Sequence, residues 1–164
     1  FNKEQKALYE ICLDAQLEAI KAVKPGASWD APHNATVRVI TAGLLKLGLL
    51  KGELKKLIKS EAYKDFYMHR AGHWLGIDVH DVGDYKIDGK WRLMEPGMVT
   101  TIEPGIYVAP DNKKVDKKWR GIGIRIEDDV LVTRTGHRIL SNGAPKTIAE
   151  IESFMAQANA KAVA

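Results

Sequence analysis

Read as a string of apolar and polar positions, the chain divides near residue 66. Upstream, apolar residues recur every three or four positions. Downstream they alternate or cluster between frequent glycines. Leu8, Ile11, Cys12, Ala15, Ala19, Ala22 and Val23 follow the spacing of one buried helical stripe. Asn2, with Gln5 three residues on, is spaced as a capping box, whose side chains satisfy free N–H groups at a helix start. Pro25-Gly26 predicts the stop. Ser28 is the predicted cap of a second helix that turns Val37, Ile40, Leu44, Leu45 and Leu47 inward and ends by Gly48 or Gly52. A third helix, over 53–64, places Leu54, Leu57 and Ile58 inside and Lys55, Lys56 and Lys59 in water.

Beyond residue 66, β-branched residues predict strands over Met98–Glu103 and Ile122–Thr133, with weaker signals over Leu75–Val79 and Arg138–Leu140. A closing helix starts at Thr147, where Glu150 makes a second capping box, and its stripe is Ile148, Ile151, Phe154 and Met155. The tail over 156–164 is expected to fray. Helices first, antiparallel-looking strands next and a helix to close read as α+β rather than alternating βαβ.

Composition narrows this picture. A chain of 164 residues predicts one compact domain, and 45% hydrophobic with 28% charged residues excludes disordered, collagen-like and coiled-coil classes. The single cysteine, Cys12, cannot form an internal disulfide, which points to a reducing, cytoplasmic setting. On its apolar stripe it reads as core rather than nucleophile. No apolar run nears the roughly 18 residues of a membrane span, and no signal-peptide h-region is visible. The net charge of +4 is not concentrated on any segment, so a nucleic-acid partner is not expected. The densest basic run, Lys113 to Arg120, is interleaved with Asp116 and reads as a solvated loop.

Three segments carry candidate chemistry. His69, His73 and His80 crowd into HRAGHWLGIDVHDVG. A zinc-binding helix of the His-Glu-x-x-His kind needs Glu after the first His, but Arg70 stands there, and Gly72 and Gly76 weaken any helix. The cluster therefore belongs to a glycine-rich strand or turn. Glu95-Pro96-Gly97 and Glu103-Pro104-Gly105 bracket a short strand; either alone is ordinary surface punctuation, but Glu103 ends a strand expected to be buried and precedes Tyr107. In Gly121–Asp129, period two puts Ile122, Ile124 and Ile126 on one face and Arg125 and Glu127 on the other, roughly 6.6 Å apart along a strand. A buried Arg–Glu pair is costly unless each finds a partner, a metal or a substrate. Imidazole with carboxylates suits Mn, Co or Zn, often as two ions about 3.5–4 Å apart. No Gly-x-Ser-x-Gly elbow, phosphate loop or dinucleotide loop is present.

HRAGHWLGIDVHDVGDY, LMEPGMVTTIEPGIYV and WRGIGIRIEDDVLVT, in this order and spacing, resemble the C-terminal part of the Xaa-Pro aminopeptidase (aminopeptidase P) family of the creatinase, prolidase and methionine-aminopeptidase superfamily. The resemblance implies a pita-bread α+β fold with a curved antiparallel sheet, and a dinuclear centre of divalent ions, manganese foremost, with zinc or cobalt as alternatives. It implies His73, Glu103 and Glu127 as metal ligands, with His69, His80, Tyr107 and Arg125 lining the pocket. The implied reaction releases the N-terminal residue of peptides with proline second: a hydroxide between the metals attacks, Glu103 relays the proton to the proline nitrogen, and His80 stabilises the oxyanion. Two aspartate ligands of the family's five have no counterpart pair here, nor does its N-terminal domain. The chain is therefore expected to be the C-terminal portion, over 1–164, of one catalytic domain, inactive by itself and prone to associate through open sheet edges. Prolidase, or a metal-free interaction module of the same fold, are the alternatives.

Overall fold

The computed structural model describes residues 1–162, in which helices α1 (Lys3–Lys21), α2 (Ala31–Lys46), α3 (Leu54–Lys59) and α4 (Ile148–Ala162) frame seven short strands. These are β1 (Lys86–Ile87), β2 (Lys90–Trp91), β3 (Val99–Ile102), β4 (Gly105–Tyr107), β5 (Gly123–Arg125), β6 (Asp128–Val132) and β7 (His137–Ile139). All strand pairs are antiparallel: β1 with β2, β3 with β6, β6 with β7, and β4 with β5. The predicted α+β class matches this arrangement.

Both capping boxes form. The Asn2 side chain accepts from the Gln5 N–H while Gln5 reaches back to the Asn2 N–H. Thr147 and Glu150 exchange the same pair of bonds at the head of α4. The apolar stripe of α1 is buried through Leu8, Cys12, Ala15 and Ala19, and α1 packs on α2 and against β3, β4 and β5. One cluster joins Leu8, Val37, Ile40 and Leu44 to Ile106, Val108 and Ile126. A second joins Ile20, Val23 and Trp29 to Trp74, Ile102, Val130 and Val132. The helices thus cover one face of the strands and leave the other open.

Several local expectations give way. Ser28 is not the cap of α2: it forms a β-bridge with Leu93, and the helix starts after Asp30, with Pro32 placed where no N–H donor is needed. The third helix stops at Lys59, a 3₁₀ turn follows over Ala62–Asp65, and none of α3's residues is fully buried. Leu75–Val79 is a loop, because Asp81 takes the Ile77 and Val82 N–H groups on its carboxylate and so competes with strand pairing. Ile122–Thr133 is broken between Arg125 and Asp128 into β5 and β6. On α4, Ile148 and Ile151 reach the core, while Phe154 and Met155 are 61% and 53% exposed. The fraying expected over 156–164 meets a helix that runs to Ala162; residues 163–164 lie outside the described residues. In the basic loop, Val115 and Trp119 turn inward and the lysines face water, as expected.

Candidate metal centre

The register explains how distant carboxylates meet. Ile102 pairs with Asp128 in β3–β6, and Gly105 pairs with Arg125 in β4–β5. Both ladders keep one register across the interruption, so Glu103 stands opposite Glu127 and Pro104 opposite Ile126. Proline has no N–H to give, and there the Ile126 N–H donates to the Pro104 carbonyl at 3.3 Å. Residues facing each other on an antiparallel pair share a face; Glu103 and Glu127 therefore point the same way, together with Thr101 and Arg125. Residues 71–74 run beside β3: Thr101 N–H donates to His73 O (3.0 Å), and Glu103 N–H to Ala71 O (2.6 Å). His73 thereby lands beside Thr101 on that same face.

One ligand atom from each of His73, Glu103 and Glu127 lies within 4.8 Å of the others, with the first two side chains half-buried and Glu127 exposed. His73 Nε2 is 3.3 Å from Glu103 Oε1. Its Nδ1 sits 2.9 Å from the Trp74 carbonyl, which can only accept, so the ring proton belongs on Nδ1 and the Nε2 lone pair faces the carboxylates. Thr101 accepts the His73 N–H at 3.0 Å and donates to Glu103 at 3.3 Å. The Glu127 carboxyl is pushed above its ordinary value, first by partial loss of the water around it and then by the negative charges of Glu103 and Asp129, with His73 and Arg125 opposing. One nitrogen lone pair and two mutually repelling carboxylates fit a divalent ion of the Mn, Co or Zn class.

The other predicted residues surround this cluster. Arg125 Nε donates to the Tyr107 hydroxyl at 2.7 Å, and that hydroxyl is 2.9 Å from His69 Nε2. Arg125 pairs with Glu103 at 3.8 Å rather than with Glu127, its neighbour along the strand. His80 is exposed, its ring centred 4.5 Å from that of His73. Glu95 stays at the surface, paired with Arg92. Sequence reasoning passed over Thr101, whose buried hydroxyl within an apolar strand was the available signal. It also passed over His33, close to Tyr67 across from His69, where burial and Arg70 hold the imidazole down at about 4.

Residues 1–134 match the model of metallopeptidase family M24. The chain belongs to that family. Among M24 relatives, the Xaa-Pro aminopeptidase of Haemophilus influenzae is 48% identical over 155 residues, covering 94% of this chain and 36% of the relative. The solved structure of Pseudomonas aeruginosa aminopeptidase PepP superposes with a TM-score of 0.96 at 63% identity, covering 98% of this chain and 36% of that one. Escherichia coli aminopeptidase P with the inhibitor Pro-Leu gives 0.92 at 45% identity, covering 97% and 36%. The chain thus spans about a third of the length of these relatives, and its fold is the corresponding part of theirs.

Proposed function

We propose that this M24 chain contributes part of the catalytic centre of an Xaa-Pro aminopeptidase, releasing the residue that precedes a proline at the second position. The observation that carries the reading is the convergence of His73 Nε2 with the carboxylates of Glu103 and Glu127 within 4.8 Å. His73, Glu103 and Glu127 hold the divalent ions, with manganese the proposed native metal. Two such ions supply Lewis acidity for the scissile carbonyl and lower the pKa of water. Glu103 is the acid–base group. Its carboxylate, kept in place by Thr101 and Arg125, accepts a proton and passes it to the proline nitrogen. His80, free to turn toward substrate from the rim, donates to the carbonyl oxygen as charge develops there. His69 and Tyr107 hold the Arg125 side of the pocket. A buried, unpaired Cys12 suits a cytoplasmic setting.

Three ligand side chains fill only part of two coordination spheres, so the chain alone is proposed to bind metal weakly and to turn over no peptide. The test is a chimera in which this chain replaces the matching third of the Pseudomonas aeruginosa aminopeptidase. Manganese-dependent release of the first residue from tripeptides with proline second, abolished by Glu103→Gln, is the expected result. A chimera that folds and takes up metal yet cleaves only dipeptides makes it a prolidase; one that cleaves nothing refutes the reading.

A further inference from the structure

Of the three clustered ligands, two are held by their own side chains. The His73 ring is fixed through the Trp74 carbonyl, and the Glu103 carboxylate through Thr101 and Arg125. Among the described residues, no hydrogen bond or ion pair of that kind holds the Glu127 carboxylate, so its place is set by its backbone alone. Beyond the flanking strand ladders, that backbone has a side-chain anchor on the next residue. The Asp128 side chain leaves the opposite face of the strand, toward the helices, and is 1% exposed. Both its oxygens receive Lys146 Nζ at 2.7 Å, and Ser141 Oγ donates to Oδ1 at 2.6 Å. Ser141 Oγ also accepts the Asp129 N–H at 3.0 Å, so the strand is gripped at both Asp128 and Asp129. Lys146 is itself fixed: its carbonyl accepts the Tyr9 hydroxyl of α1 at 2.7 Å, and its N–H donates to Glu150 of the α4 capping box at 3.2 Å.

We propose that Lys146, acting through Asp128, is the positioning residue for Glu127, tying the metal ligand to the α1–α4 helix layer across the strand. A carboxylate this deeply buried must keep its cation or return to water. Asp128 can reach water only by dragging the start of β6, and Glu127 with it, away from Glu103 and His73. The ladders to β3 and β4 fix which residue Glu127 faces; the Asp128 anchor adds the side-chain hold that keeps the ligand end of the strand in place. The inference rests on reading His73, Glu103 and Glu127 as metal ligands.

Manganese uptake by the chimera with the Pseudomonas aeruginosa aminopeptidase, followed as loss of the free-ion EPR signal, tests it, with circular dichroism reporting the fold. Lys146→Met is expected to bind manganese about 10- to 100-fold more weakly, the usual consequence of losing a group that orients a ligand. Lys146→Arg, which restores a bidentate cation, should return to within a few-fold of the parent. The double variant Asp128→Asn with Lys146→Met removes the stranded charge and should recover thermal stability without recovering affinity, a separation that a purely structural ion pair would not produce. If Lys146→Met fails to fold, the double variant and Ser141→Ala decide. Weakened uptake in a native fold supports the proposal, and parental affinity overturns it, as would parental affinity in a folded Lys146→Met. Absence of uptake by the parent chimera has a different signature, since no variant can then differ from it, and overturns the metal reading together with this inference.

Discussion

Removing one hydroxyl, by Tyr107→Phe, should weaken the tautomeric preference of a neighbouring histidine. His69 Nδ1 lies 2.7 Å from the Arg70 carbonyl, an acceptor only, so the neutral ring carries its proton on Nδ1. Its Nε2 is left as an acceptor, 2.9 Å from the Tyr107 hydroxyl, which is in turn free to donate because it accepts from Arg125 Nε at 2.7 Å. Arg125 Nη2, 3.4 Å from Nε2, is a donor aimed the same way. Each of the two close bonds is worth about 0.5–1.5 kcal/mol net, so together they favour the Nδ1–H form by roughly 10- to 100-fold. Tyr107→Phe deletes one of them, and the preference should fall roughly 2- to 13-fold. The global cost stays small, below about 1.5 kcal/mol, because the Arg125 side chain is 50% exposed and rehydrates readily. Two-bond nitrogen–proton NMR correlations at mildly alkaline pH report which ring nitrogen is protonated. A parent His69 with its proton on Nε2, or a Tyr107→Phe ring indistinguishable from the parent, would refute the network.

Three further outcomes follow from buried groups. His33 is held near 4 in the folded chain, well below the ordinary 6.5, so the unfolded chain takes up the proton first as pH falls. Its stabilising effect is complete above pH 6.5 and is lost down to about pH 4, with a slope of at most about 1.4 kcal/mol per pH unit; His33→Phe should flatten that part of a urea-denaturation pH profile. Cys12, pushed up to about 12 chiefly by burial, should resist alkylation at neutral pH until the chain unfolds, so fast labelling under native conditions would contradict its core position. In Gly72→Ala the new methyl would meet the Thr101 carbonyl, forcing apart the strands that align His73 with Glu103. A loss of about 1–3 kcal/mol with weaker manganese uptake is expected, and parental behaviour in both would show that the segment is looser than described.

The sequence by itself determined what depends on near neighbours. Both capping boxes and the α1 stripe are set by residues three and four apart, and they form as the spacing predicts. The ligand types were legible too, because imidazole and acid at strand ends advertise themselves by chemistry. Even the face of Asp128 was written in the period-two pattern, since it falls in line with Ile122, Ile124, Ile126, Val130 and Val132. Which cation would meet it there was not, because Lys146 arrives through a turn whose path depends on α4 docking against α1. The tertiary structure alone decided that Glu103 stands across from Glu127, that Arg125 turns to Glu103, and that residues 75–79 leave the sheet for an aspartate-held loop. Register and long-range charge pairing depend on groups tens of residues apart, and local pattern carries no information about their distance until the chain has folded.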